Sequence, residues 1–293
     1  MKVLVVGVSG MLVSASFKVF SEDRNIDVMG TARDGSVKKY FSPELQTKII
    51  SGIDILDNDL LPNVIAHVKP DVVINCVGLI KQLAQANDPL IVLPVNAMFP
   101  HRLSELCELS SARLIHISTD CVFDGNKGGY TESDRSNATD LYGKSKFIGE
   151  LHSAPHAITL RTSIFGHELA SHNALIEWFL AQTGSIKGYT RAVFSGLPTV
   201  ELSRVIKDFV IPRSDLSGLY HVSADPISKF DLLSLVAEIY DKKIEIIPDN
   251  ELTVDRSLNS DLFQQESGYK APEWPELIRA MKQSKIEKRD NCV

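Results

Sequence analysis

A tyrosine stands four residues before a lysine in Leu141-Tyr142-Gly143-Lys144-Ser145-Lys146, and the next residues, Phe147-Ile148-Gly149-Glu150, continue a helical pattern. Positions i and i+4 share a helix face, so Tyr142 and Lys146 meet if the segment is helical. An ammonium beside a phenol favours the phenolate and draws its pKa below the reference of ~10. The pair would then give and take a proton near neutral pH. Upstream, Ile115-His116-Ile117-Ser118-Thr119-Asp120 carries a strand pattern to a hydroxyl pair at its C-terminal end. Ligands sit at that end in doubly wound sheets, and Thr119 is placed there to hydrogen-bond a substrate carbonyl. A lone Y-x-x-x-K is common on exposed helices; joined to these hydroxyls and to a glycine turn, it reads as a catalytic set.

The glycine turn is Gly7-Val8-Ser9-Gly10, directly after the apolar run Val3-Leu4-Val5-Val6. In a dinucleotide site the first glycine permits the turn, the second admits the pyrophosphate, and the third allows close helix-on-strand packing. The helix N-terminus then presents free N–H groups to the phosphates. Here the third position is Val13. Its side chain is expected to crowd the helix or shift the turn, so that Val13→Gly would tighten cofactor binding or raise stability. The second strand pattern ends Thr31-Ala32-Arg33-Asp34, where the adenosine ribose belongs. Arg33 suits a 2′-phosphate and favours NADP, while Asp34 keeps NAD as the alternative. Asp54-Ile55 closes the third strand pattern, either against adenine or as a cap before Leu56.

These groups need a scaffold. Apolar runs of strand length at residues 2–6, 26–31, 48–53, 71–77, 113–118 and 157–162 alternate with helical patterns such as 11–20, 60–68 and 94–109. The last sets Ala97, Leu103, Leu106 and Leu109 on one side. Alternation of this kind implies βαβ units and an α/β fold, a doubly wound parallel sheet of Rossmann type. Nearly continuous apolar strands such as Val72-Val73-Ile74 fit a sheet covered on both faces. The regular pattern weakens after Phe165-Gly166, which divides the chain into a dinucleotide-binding domain at 1–166 and a smaller substrate-binding lobe at 167–293. Residues 184–188 and 195–198 read as loops. Leu219-Tyr220-His221-Val222 reads as a strand returning to the main sheet, so about 197–225 is expected to interleave with the first domain, and 230–240 reads as an amphipathic helix.

The 293 residues carry 31 basic and 37 acidic side chains, a net charge of -6, with no long basic block. This excludes sequence-wide attraction to nucleic acid or an anionic membrane. Cys76, Cys107, Cys121 and Cys292 form no C-x-x-C pair and have no histidine at ligand spacing, so neither a disulfide framework nor a metal site is indicated. The apolar N-terminal stretch is too short to span a bilayer. A cytoplasmic setting is expected.

Taken together, the chain resembles the extended short-chain dehydrogenase/reductase family, within it the dTDP-4-dehydrorhamnose reductase branch. The resemblance rests on Gly7-Val8-Ser9-Gly10-Met11-Leu12, Pro70-Asp71-Val72-Val73-Ile74-Asn75, Val95-Asn96-Ala97, Ser118-Thr119-Asp120-Cys121-Val122-Phe123-Asp124-Gly125, Tyr142-Gly143-Lys144-Ser145-Lys146 and Leu160-Arg161-Thr162-Ser163. It implies an NAD(P)-dependent oxidoreductase that reduces the 4-keto group of a nucleotide-linked 4-keto-6-deoxy sugar for surface polysaccharide or O-antigen synthesis. Tyr142 would donate the proton, Lys146 would hold the nicotinamide ribose and Thr119 would orient the carbonyl. It further implies cofactor contacts from Ser9, Met11, Leu12, Cys76, Val77, Gly78, Asn96 and Ser118 beside Gly7, Gly10, Arg33, Asp54 and Ile55. Asn96 would help place the lysine. Substrate contacts would come from Thr119, Asp120, Cys121, Asn173 and Arg256, the arginine toward the diphosphate; Cys121 stands where related reductases often carry an aromatic residue. The expected partners are the nucleotide sugar and, as one option, a second copy of the chain in a homodimer. Two other readings stay open: an epimerase or dehydratase of the same fold, and a non-catalytic subunit like the regulatory β subunit of methionine adenosyltransferase.

Overall fold

The computed structural model describes residues 1–81, 87–169 and 174–285. The predicted strands form, β1 with the expected bounds, β2 shifted by one residue and the others shorter: β1 Lys2–Val6, β2 Asp27–Ala32, β3 Ile49–Ser51, β4 Val72–Asn75, β5 Arg113–Ile117 and β6 Ala157–Arg161. They alternate with α1 Met11–Ser21, the short α2 Pro43–Thr47, α3 Leu60–Val68, α4 Pro89–Val92, α5 Phe99–Leu109 and α6 Leu141–Ile148. The C-terminal part adds β7 Ile164–Phe165, α7 Leu175–Ala181, β8 Ser185–Tyr189, β9 Ala192–Phe194, β10 Leu197–Pro198, α8 Thr199–Val205 and β11 Gly218–His221. It ends with β12 Ile227–Ser228, α9 Lys229–Ile239, β13 Glu245–Asp249, β14 Val254–Asp255, α10 Asp261–Ser267 and α11 Trp274–Gln283.

The main sheet has seven strands in the order β11-β6-β5-β4-β1-β2-β3, parallel throughout. The order in which strands are added reverses between β1 and β4, and that switch point is where a doubly wound sheet leaves a crevice outside its carboxyl ends. Residues of β1 and β4 divide between two buried clusters. Val3 and Val5 face one side with α1 and α8, and Leu4, Val6 and Val73 face the other with α3 and α5. Burial on both faces explains why the strands read as unbroken apolar runs. The segment Leu219–His221 does join the sheet, as part of β11 beside β6.

Three expectations are corrected. Val13 neither crowds α1 nor shifts the turn. It is fully buried in the cluster of β1, α1 and α8, and the turn closes with Gly10 N–H donating to Gly7 O at 3.1 Å. Room for close helix packing comes from the opposite partner, because Gly30 on β2 has no side chain. A Cβ there would stand 2.4 Å from Val8 Cγ2 and 3.1 Å from Phe17 Cε2. Second, Leu109 is 84 % exposed, although Leu103 is buried. Six residues at ~100° each rotate the helix to a position about 120° off the starting face. Third, residues 185–189 form β8 rather than a loop, pairing in parallel with β13. That partner lies too far along the chain for local pattern to reveal it.

Candidate active site

At the switch point two loops meet. Gly7 has φ +97°, and a Cβ on it would approach Val77 Cγ2 to 2.8 Å, so glycine is required by both conformation and contact. Gly10 is the N-cap of α1, which has no side-chain cap and no acidic residue in its first turn. Its leading N–H groups therefore have no side-chain acceptor, the arrangement that suits an anion. Exposed Ser9, half-buried Met11 and buried Leu12 follow this turn, with Leu12 in the core. Arg33 is exposed at the end of β2. Its neighbour Asp34 is already engaged: its carboxylate accepts from Ser36 N at 2.8 Å and caps the short helix Gly35–Tyr40, and these hydrogen bonds hold its pKa below the usual range. Asp54 forms a local turn by accepting from Leu56 N at 3.0 Å, with Ile55 half-buried beside it.

Across the crevice, Asn96 lies in a π-helical turn, Leu93–Met98, that joins α4 to α5. Fully buried, its amide accepts from Leu79 N at 2.8 Å and donates to Leu79 O and to Ser145 Oγ. This fastens the loop after β4, with Cys76, Val77 and exposed Gly78, to the residue before Lys146. A Cβ on Gly78 would lie 3.5 Å from Asn96 Oδ1 and 3.9 Å from Lys146 Nζ. Burial pushes the Cys76 thiol up to about 12, so it remains a neutral wall.

Helix α6 is drawn in by two glycines. A Cβ on Gly143 would meet Cys121 O at 2.2 Å, and one on Gly149 would meet Asn96 O at 2.1 Å. Asp140 caps the helix through Gly143 N at 2.7 Å, and Lys81 holds Asp140 at 2.6 Å with its ammonium 5.6 Å from the Tyr142 ring centroid. Tyr142 and Lys146 do share this helix. Their coupling is not the expected one, however. Burial lowers the Lys146 pKa to about 8, and its Nζ donates to Ile117 O at 2.8 Å. Tyr142 is pushed above its ordinary value, first by burial and then by Cys121, while the Thr119 side chain works the other way by hydrogen bonding. The physical basis is simple: Lys146 is buried against the end of β5 and is not among the groups that act most on the phenol, so desolvation decides.

Beneath this pair lies a buried brace. Glu150 takes Arg161 Nε at 2.7 Å and Nη2 at 2.6 Å, and Ser118 Oγ donates to it at 2.6 Å. Burial alone would raise the Glu150 pKa, but these hydrogen bonds and His152 hold it lowered. The Ser118 hydroxyl, expected to face the cofactor, is thus committed to the brace, because Glu150 at the end of α6 is the stronger acceptor. His116 is fully buried beside Asn75, and burial followed by Lys146 keeps its pKa well below the usual value. It stays neutral.

Thr119 Oγ1 accepts from Cys121 N and donates to Asp120 Oδ1 at 3.1 Å, placing all three at the mouth of β5. Burial raises the Asp120 pKa, opposed by the Cys121 thiol, Arg256 and Lys229. Burial likewise pushes the Cys121 thiol up to about 12. Arg256 reaches this floor from the C-terminal part. Its Nε and Nη2 donate to Phe123 O and Asp124 O at 2.9 and 3.2 Å, so part of the fork expected for a diphosphate secures a loop instead. Asn173 lies outside the described residues. Sequence reasoning missed Lys81, Lys229 and the role of Glu150; only Glu150, at i+4 from Lys146, offered a local signal.

The family described as RmlD substrate binding domain matches residues 1–285. A dTDP-4-dehydrorhamnose reductase from Aggregatibacter actinomycetemcomitans is 26% identical over 253 residues, 78% of this chain and 86% of the relative. Methionine adenosyltransferase 2 subunit beta from Danio rerio is 28% identical over 252 residues, 82% of this chain and 74% of that protein. The crystal structure of a dTDP-4-dehydrorhamnose reductase from Bacillus anthracis in complex with NADP aligns with a TM-score of 0.76 at 21% identity, covering 97% of this chain and 99% of that one. The structural likeness shows a shared Rossmann-like fold.

Proposed function

The chain belongs to the RmlD substrate binding domain family, and from that premise we propose that it is an NADPH-dependent reductase of a nucleotide-linked 4-keto-6-deoxy sugar. The observation that carries this reading is Tyr142 beside Thr119 at the mouth of β5, with Lys146 behind them at the switch point. The turn suits a dinucleotide: glycine at position 7 permits its positive φ and its close approach to Val77, and α1 has no side-chain cap at its N-terminus. Gly7, Ser9, Gly10 and the first turn of α1 would hold the pyrophosphate, Arg33 the 2′-phosphate, and Lys146 the nicotinamide ribose. When bound, NADPH supplies the hydride.

The residues supply the rest. Thr119 orients the ketone oxygen by hydrogen bonding. Tyr142 gives its proton to that oxygen as negative charge develops there. Its raised pKa keeps the resting phenol protonated, which is the form that a reduction needs at the start. Lys146 places a positive charge near the phenolate that the transfer leaves. No helix among the described residues is long and apolar enough to cross a membrane.

Likeness to a regulatory subunit of methionine adenosyltransferase supports a second reading, in which the chain serves a partner enzyme. A scaffold has no chemical use for Thr119, Tyr142 and Lys146 converging on one crevice. The test is consumption of NADPH absorbance with a panel of dTDP, UDP and GDP 4-keto-6-deoxy sugars. Tyr142→Phe should keep NADPH affinity and abolish reduction. NADPH binding with no turnover on any panel member refutes the proposal, and full turnover by Tyr142→Phe refutes the proton assignment.

A further inference from the structure

Tyr142, Lys146 and Glu150 follow one another at intervals of four, the first two on α6 and the third just past its end, where Glu150 N–H still donates to Phe147 O at 3.1 Å. One side of this segment therefore carries all three. That side meets the end of β5 and the turn after it. Lys146 Nζ donates to Ile117 O at 2.8 Å, and Ser118 Oγ donates to Glu150 Oε1 at 2.6 Å. Next to Tyr142, a Cβ on Gly143 would stand 2.2 Å from Cys121 O, and Cys121 N donates to Thr119 Oγ1 at 3.1 Å. Backbone packed this closely leaves α6 no room to slide along β5 without a clash or a gap beside Tyr142. The far end of the same contact is the Glu150 carboxylate on Ser118.

Arg161 on β6 fixes that carboxylate. Its Nε and Nη2 hold the two oxygens at 2.7 and 2.6 Å, and Nη1 stands 3.3 Å from His221 Nε2. A guanidinium only donates, so Nε2 accepts, and His221 Nδ1 donates to Tyr130 O at 3.0 Å. The Phe123 ring lies over the guanidinium at 5.2 Å. Glu150 and Arg161 are both buried. Apolar groups of similar volume often replace such a pair at no cost in stability, whereas a bidentate fork fixes where the carboxylate lies. Placement is what the ion pair adds.

We propose that Glu150 is a positioning residue for the reduction: bound by Arg161, it takes the Ser118 hydroxyl and holds α6 in the register that sets Tyr142 against the Thr119–Cys121 turn. Its side chain is fully buried, so it acts through α6 and not on the substrate. This assignment rests on the reductase reading above.

Ser118→Ala removes the contact and leaves the ion pair in place. With the best sugar nucleotide of the panel, kcat should fall about tenfold or more, as expected for misplaced reacting groups, while the KM for that sugar and the NADPH affinity change less than about twofold. In a Thr119→Ala background the same change should cost little further, because the geometry it protects is already lost. A second variant, Glu150→Met with Arg161→Met, exchanges the ions for apolar side chains and removes the acceptor. It should bind NADPH like the parent and lose kcat as Ser118→Ala does. Parental kcat in either variant overturns the assignment. So does a loss that multiplies in full with that of Thr119→Ala, or a loss of kcat that comes only with lost NADPH affinity, the result for a general brace of the fold. A parent protein that turns over no sugar of the panel overturns the function itself, and the assignment with it.

Discussion

Replacing Val13 with glycine restores the familiar third glycine of a dinucleotide turn, yet the structure predicts harm. The valine is fully buried, and its Cγ2 lies 3.8 Å from where a Cβ on Gly10 would be, so it packs the first turn of α1 without touching the crevice. Burying a valine side chain stabilises a protein by about 1.5–3 kcal/mol, and the lost volume adds a cavity term. Exchanging valine for glycine inside a helix costs roughly a further 0.3 kcal/mol. The expected destabilisation is therefore about 2–4 kcal/mol, seen as a lower urea midpoint with unchanged slope. NADPH affinity should stay level or weaken. The companion variant Gly30→Ala places a methyl group 2.4 Å from Val8 Cγ2 in a fully packed layer, where overpacking costs roughly 1–3 kcal/mol. If Val13→Gly is as stable as the parent or binds NADPH more tightly, the valine is a defect and the account of helix packing through Gly30 fails.

Two further expectations concern charge. Lys146 has its pKa lowered to about 8, so its ammonium form dominates below that pH and is lost above it. The kcat/KM for reduction should fall as pH rises through about 8, and Lys146→Met should remove that limb; a flat profile up to pH 10 in the parent would contradict the role given to the lysine. Arg33 stands exposed while Asp34 is occupied as a cap, so Arg33→Ala should weaken NADPH binding about tenfold with little change for NADH. Equal effects on both cofactors, read by fluorescence titration, would refute 2′-phosphate recognition.

Much of this was legible in the chain itself. Alternating apolar runs fixed the parallel sheet because strands buried on both faces must be apolar throughout, and the glycine turn followed from a strand running into Gly7. The Tyr142 and Lys146 pair was readable because a helix sets i and i+4 on one face. What sequence spacing could not decide was environment. Whether Lys146 or burial governs the Tyr142 phenol depends on what surrounds both, and local pattern carries no desolvation. Val13 looked like a fault because the compensating space lies on another strand, at Gly30. Lys229 comes to lie over the Phe194 ring only because β12 pairs with β9, a contact that local pattern does not carry. Local periodicity determines elements and the residues that share a face; long-range pairing decides which charges meet, and in how dry a place.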